Sequence, residues 1–262
     1  MARARAFVVD GAYADAVEIL RRTLPAVERA SGAESIEVAE LLNELGVACK
    51  FAGLFDEAGA SYARAVELSE RSLGPSELTA TLLHNTGGLA HSRHDYEAGV
   101  PHARRGLAMR EQLEPRDDYG IAADASALAA LLEGVGEYSE AERLHLQALP
   151  VFVATGDTHE AAMTRNGLGS VCQATDRWDE AAGYYDAAIA LFEANEPEHP
   201  AFGHVLNNRA TLHRRLGEDT AARALLKRAH ELLERTLGPE HPVTIEVEGN
   251  RRRVDASPSP YV

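Results

Sequence analysis

Positive charge is scarce in this chain, and lysine is nearly absent. Lys50 and Lys227 are the only lysines, and 26 lysine and arginine side chains stand against 41 carboxylates, a formal net charge of −15. Such a surface repels phosphate over most of its area, which argues against nucleic acid and anionic membrane as partners. Cysteine is also rare. Cys49 and Cys172 lie far apart and outside any CxxC or Cys/His spacing, so both read as small core residues in a reducing compartment. No apolar run approaches the roughly 20 residues that span a bilayer. The N-terminal MARARAFVVDG carries two arginines but too short an apolar stretch for a signal peptide. A cytoplasmic location is the expectation. The strings GxxxxGK[ST], GxSxG, HExxH and CxxC are missing, so no catalytic role, cofactor or metal is expected from motifs. Gly167-Leu168-Gly169 lies within a helical pattern and reads as packing.

What the chain has instead is a period. Gly53 is followed by Phe55 and Ala58. The same spacing recurs at Gly11, Tyr13, Ala16; at His94, Tyr96, Gly99; at Gly136, Tyr138, Ala141; at Asp176, Trp178, Ala181; and at Gly217, Asp219, Ala222. The steps between anchors are 42, 41, 42, 40 and 41 residues. An amphipathic run precedes each anchor, as in Leu41, Leu42, Leu45, Ala48 and Cys49, and a second helical run follows. Gly74-Pro75, Pro115, Gly156-Asp157, Pro197 and Gly238-Pro239 close the units. No strand-like alternation competes, so the fold class is all-α.

Small residues fall in columns: Ala58, Gly99, Ala141, Ala181, Ala222; Ala65, Gly106, Ala148, Ala188, Ala229; and Gly46, Gly87, Ala129, Gly169, Ala210. Close helix crossings need them, and Tyr62, His145, Tyr185 and Leu226 fill the space beside them. These columns resemble the tetratricopeptide repeat, with its Leu-Gly in the first helix and Ala…Tyr/Phe…Ala in the second. The longer period, the string Leu206-Asn207-Asn208 and the linkers Leu237–Pro242 and Glu196–Pro200 resemble the kinesin-light-chain subclass. The resemblance implies a right-handed α-α superhelix over residues 1–253. Its repeats would span roughly 2–34, 35–76, 77–117, 118–158, 159–199 and 200–240, the first entered midway, with a capping helix at 243–253 and a disordered tail at 254–262. Departures are His94 and Asp176 at the anchor glycine, Arg209 where the family prefers leucine, and Ser126-Ala127 where the third full repeat has lost its asparagine. Pro25, Pro101 and Pro150 lie inside second helices. Pro25 and Pro150 share one repeat position, which predicts a tolerated bend there. His199 and His241 read as linker caps.

In a solenoid the first helices line one face. The positions resembling the family's groove columns include Asn43, His84, Ser126, Asn166 and Asn207; Glu40, Thr81, Ala123, Met163 and His204; and Lys50, His91, Glu133, Gln173 and Arg214, with Phe51 and Arg215 next to them. Asparagine is mildly unfavourable in mid-helix, and its amide can both donate to and accept from a peptide backbone. In the family such an asparagine ladder is associated with gripping peptides, which the resemblance carries to Asn43, Asn166 and Asn207. The competing reading is that they bond the neighbouring repeat; Asn85 and Asn208, one position on, lean toward that structural role. The groove columns sum to +1 in a chain of −15, and Arg214 and Arg215 offer planar donors to carboxylates.

The leading expectation is therefore a protein–protein interaction scaffold or adaptor. It would bind a peptide or protein segment, acidic or ending in a free carboxylate, through Asn43, Asn166, Asn207, His84, Glu40, Lys50, Phe51, His91, Gln173, Arg214 and Arg215. One alternative is an enzyme or a metal or small-ligand sensor on the His84/His91 side, although an i, i+7 spacing separates the rings by about 10 Å. Another is self-assembly, a homodimer through the N-terminal edge at Phe7, Val8 and Val9.

Overall fold

The computed structural model describes residues 12–256, so the anchor at Gly11, the edge at Phe7–Val9 and the last six residues lie outside the described residues. Among the described residues the chain forms twelve α-helices and no strand. They are α1 (Tyr13–Ser31), α2 (Ile36–Phe51), α3 (Phe55–Leu73), α4 (Glu77–Ser92), α5 (Tyr96–Arg110), α6 (Asp118–Val135), α7 (Tyr138–Thr155), α8 (Thr158–Ala174), α9 (Trp178–Asn195), α10 (Pro200–Arg215), α11 (Asp219–Leu237) and α12 (Pro242–Asp255). The fold is an all-α helical repeat. The helices group into two compact units, residues 1–137 and 138–262.

Each repeat begins and turns by a different device. The first helices start on a side-chain cap. Ser35 accepts from the Val38 amide, Ser76 from Thr79, Asp117 from Gly120 and Asp157 from Glu160. His199 and His241 accept from Ala201 and Val243, so both linker histidines are caps. The second helices α3, α5, α9 and α11 have no such side chain. Before these helices and before α7 the anchor residue turns left-handed: Gly53, Gly136 and Gly217 at φ +75°, +84° and +77°, and His94 and Asp176 at +58° and +60°. The next amide then reaches back to the preceding helix, from Leu54 to the Cys49 carbonyl at 2.8 Å and from Arg177 to Cys172 at 2.8 Å. The two non-glycine anchors therefore keep the turn geometry. The helices run on through Pro25, Pro101 and Pro150.

In the first unit α2 packs on α1, α3 and α4, and α4 packs on α5 and α6. Leu20, Leu41, Leu45, Cys49, Ala58, Tyr62 and Leu82 share one core. In the second unit α10 packs on α8, α9 and α11, with Phe202, Leu206, Leu226, Leu233 and Val247 in the core. α12 extends to Asp255 because Val254 is buried. Both cysteines are free and buried. Burial pushes the Cys49 thiol up to about 12.

The small-residue columns are close-packing sites. A Cβ on Gly46 would stand 2.4 Å from the Tyr62 ring, and one on Gly169 would stand 2.6 Å from Tyr185. The two tyrosines differ in their hydroxyls. Tyr185 Oη lies 3.3 Å from both Ser170 Oγ and Gln173 Oε1, whereas Tyr62 Oη is buried without a hydrogen bond. Tyr62→Phe is thus expected to stabilise the protein by about 1 kcal/mol and Tyr185→Phe to cost about as much. Urea unfolding of the pair reads the opposite signs directly.

A ladder of arginines runs between successive second helices. Arg64 pairs with Glu28 at 2.7 Å, Arg105 with Glu70 at 2.6 Å and Arg228 with Glu193 at 2.7 Å, and Arg177, in the turn before α9, pairs with Glu142 at 2.8 Å. Arg21 also pairs with Glu57. Each exposed pair contributes about 0–1 kcal/mol. The ladder gives the lysine-poor composition a use, because the guanidinium fork suits two-point bonding to a carboxylate.

Candidate functional site

In the first unit α2, α4 and α6 stand side by side, and in the second α8 and α10 do. The groove columns lie on these first helices. Asn43, Asn166 and Asn207 make one repeated contact. Asn85 Nδ2 donates to Asn43 Oδ1 at 2.8 Å, Asn208 to Asn166 at 3.0 Å, and Asn250 to Asn207 at 2.9 Å. The donors sit 42 or 43 residues after the acceptors, one position along in the next repeat. The ladder therefore stitches neighbouring repeats through its oxygens, as Asn85 and Asn208 suggested. Asn250 completes it from the capping helix, a residue that the same column spacing would have flagged. The Nδ2 groups of Asn43, Asn166 and Asn207 bond no other described residue. Asn166 and Asn207 are 8% and 9% exposed, and Asn43 is half-buried.

His84 does not stand alone. Its Nδ1 lies 2.9 Å from Asp124 Oδ1, but the contact lacks hydrogen-bond alignment and leaves that nitrogen unsatisfied. Asp124 is 3% exposed and accepts from Arg110 Nε at 2.7 Å. Arg110 also reaches Asp117 at 3.4 Å and Thr81 at 3.2 Å. No motif or spacing in the sequence announces this buried ion pair. The signal lies in the columns: Asp124 shares one with Leu41, Leu82 and Val205, and Arg110 shares one with Phe152, Phe192 and Leu233.

The other first-unit candidates form an aromatic corner. Phe51 stacks on Tyr13 with centroids 5.2 Å apart, and Lys50 Nζ stands 4.9 Å from the Phe51 ring. Lys50 is half-buried with no carboxylate partner among the described residues. Burial draws its pKa below the ordinary lysine value. Glu40 and His91 are exposed, and His91 packs edge-on against Tyr96 at 5.5 Å.

In the second unit Gln173 is held by Tyr185. Arg214 and Arg215 are exposed, and the Arg215 guanidinium lies 5.8 Å from the centre of the Trp178 ring. Neither bonds a carboxylate among the described residues. Arg209, by contrast, forks onto Asp186 at 2.8 and 3.3 Å.

Repeat length, turn and small-residue columns agree with a sequence comparison. The tetratricopeptide repeat profile matches residues 37–112, 121–194 and 203–243. The chain belongs to the tetratricopeptide repeat family. Its repeats are of the kinesin-light-chain type: it is 31% identical over 98 residues to Protein KINESIN LIGHT CHAIN-RELATED 1 of Arabidopsis thaliana. That alignment covers 37% of this chain and 16% of the relative, so the chain spans only a small part of the plant protein. Two solved structures share the fold. BtubC (BKLC) from P. vanneervenii is 18% identical, covering 79% of this chain and 95% of its own, with a TM-score of 0.54. A Rap protein complexed with competence and sporulation factor is 16% identical, covering 97% and 73%, with a TM-score of 0.67. No helix among the described residues of this tetratricopeptide repeat chain is long and apolar enough to cross a membrane.

Proposed function

We propose that the chain is an interaction scaffold whose first-helix faces take up a protein segment carrying carboxylates. The observation that carries this reading is the contrast between arginines. Those of the second helices are largely neutralised by the ladder, whereas Arg214 and Arg215 project from the end of α10 with no carboxylate partner among the described residues. Arg215 is backed by Trp178, a flat surface that orients a guanidinium for a ligand in front of it. On the same face the Asn166 and Asn207 amides offer Nδ2 donors, while each oxygen already accepts one bond from the next repeat. A ligand that fits presents acceptors to both sets: backbone carbonyls to the amides and a side-chain or terminal carboxylate to the arginines. The first unit offers the same chemistry on a smaller scale, with the Asn43 amide and the Lys50 ammonium.

Selection from a random peptide library on the immobilised chain tests this. Enrichment of Asp, Glu or a free C-terminal carboxylate is expected. Arg214→Glu/Arg215→Glu is expected to weaken the selected peptides at least about tenfold, the loss of one or two charge-assisted hydrogen bonds. Selected peptides without acidic bias that bind the charge-reversed protein equally well would overturn the reading.

A further inference from the structure

A different cluster stands where α8 begins and α9 runs into α10. Among the described residues, His159, Glu196 and His199 are the one group of three ligand-type side chains whose donor atoms lie within 4.8 Å of one another. His159 Nδ1 is 2.7 Å from Glu196 Oε2, and the two imidazole centroids are 4.6 Å apart. Beneath them lies Phe192, 1% exposed, at 5.5 Å from His159 and 6.3 Å from His199, and stacked in turn on Phe202.

Charge sets this group apart from its surroundings. Glu193 is bonded by Arg228 and Glu198 by Arg235. Among the described residues no arginine bonds Glu196 between them; His159 is its partner. The group therefore sets a carboxylate that no described arginine pairs with beside two imidazoles, over an aromatic floor.

We propose that His159, Glu196 and His199 form a binding site for a divalent transition-metal ion of the zinc class. Two imidazoles and one carboxylate suit zinc, cobalt or nickel and not calcium or magnesium, which prefer all-oxygen shells. Three protein ligands leave the fourth position of a tetrahedral ion to water. An ion held by all three groups replaces the His159–Glu196 contact: it takes the Nδ1 lone pair of His159, with the ring proton on Nε2, and one oxygen of Glu196. His199 has one lone pair to give, and Nδ1 already spends it on the Ala201 amide at 3.1 Å. An ion must take that lone pair, either at Nδ1 directly or at Nε2 after the ring proton moves to Nδ1. Filling the site therefore opens the N-cap of α10, the helix that carries Asn207 and Arg214.

Tag-free full-length chain, stripped with chelator, would be titrated with Zn²⁺ by calorimetry and with Co²⁺ by visible absorption. One ion per chain is expected, with a cobalt spectrum showing nitrogen ligation and with faster hydrogen exchange at the Ala201 amide. His159→Gln and His199→Gln are each expected to weaken Zn²⁺ at least about tenfold, whereas His102→Gln, an exposed histidine elsewhere, leaves it unchanged. No saturable ion on the wild-type chain would overturn the proposal, as would unaltered affinity in a His159→Gln protein of native circular dichroism. The wild-type titration decides independently of how the variants fold.

Discussion

Asp124→Ala is expected to cost about 3 kcal/mol or more in folding stability, because it leaves a buried guanidinium without its closest counter-charge. Arg110 is 7% exposed and Asp124 3%, so neither can turn to water. The bonds from Arg110 to Asp117 and Thr81 soften the loss without replacing the 2.7 Å contact. The double variant Arg110→Phe/Asp124→Leu behaves differently. It restores to both positions the residue types that other repeats carry there, Phe152 and Phe192 in one column, Leu41 and Leu82 in the other. Apolar replacement of a buried pair is commonly neutral or stabilising. The double variant is therefore expected to be within about 1 kcal/mol of wild type. Urea unfolding of the two proteins gives the answer: a mild single variant or a collapsed double variant would contradict the pairing.

Gly46→Ala and Gly169→Ala are expected to cost about 2–3 kcal/mol each, the upper range for overpacking a filled core. The added methyl meets a tyrosine ring at 2.4 or 2.6 Å, and Tyr62 and Tyr185 are 0% and 1% exposed, so neither ring can swing out. Helix propensity works the other way, favouring alanine over glycine by about 1 kcal/mol. Gly183, in α9, isolates that term. It is exposed, and a Cβ there meets nothing within 4 Å, so Gly183→Ala is expected to stabilise the protein by roughly 0.5–1 kcal/mol. Thermal unfolding of the three variants should show two losses and one gain. A gain at Gly46 would mean that the helices separate more readily than the packing implies.

These two experiments divide what the sequence makes legible from what it hides. Helix limits, the turn at Gly53 and the small-residue columns recur every 40 to 42 residues, so repetition amplifies them. Even His94 and Asp176 keep the left-handed turn, because the helices on either side determine the backbone there. Features that occur once have no such amplification. The Arg110–Asp124 pair needs two columns to be known as neighbours before a charge in each becomes informative. The arginine ladder does repeat, but it joins residues such as Arg64 and Glu28 at a separation that is not the repeat period. His159, Glu196 and His199 come from a helix start and a linker 37 to 40 residues apart. The asparagine ladder lies between these extremes. Its column was visible, but which atom of each amide the neighbouring repeat occupies is set by the bonds from Asn85, Asn208 and Asn250.

That distinction carries over to the proposed function, which rests on the first-helix faces being the surfaces left for a partner. A photo-crosslinking residue placed at His204 or Arg214, both exposed on α10, would sample that face. The same residue at Lys227 on α11 or Arg143 on α7 would sample the second helices. Irradiation in lysate of the source organism is expected to give discrete protein adducts from the α10 positions and none from Lys227 or Arg143, with the adducts suppressed by an acidic peptide selected on the chain. Adducts confined to the second-helix positions would contradict the account.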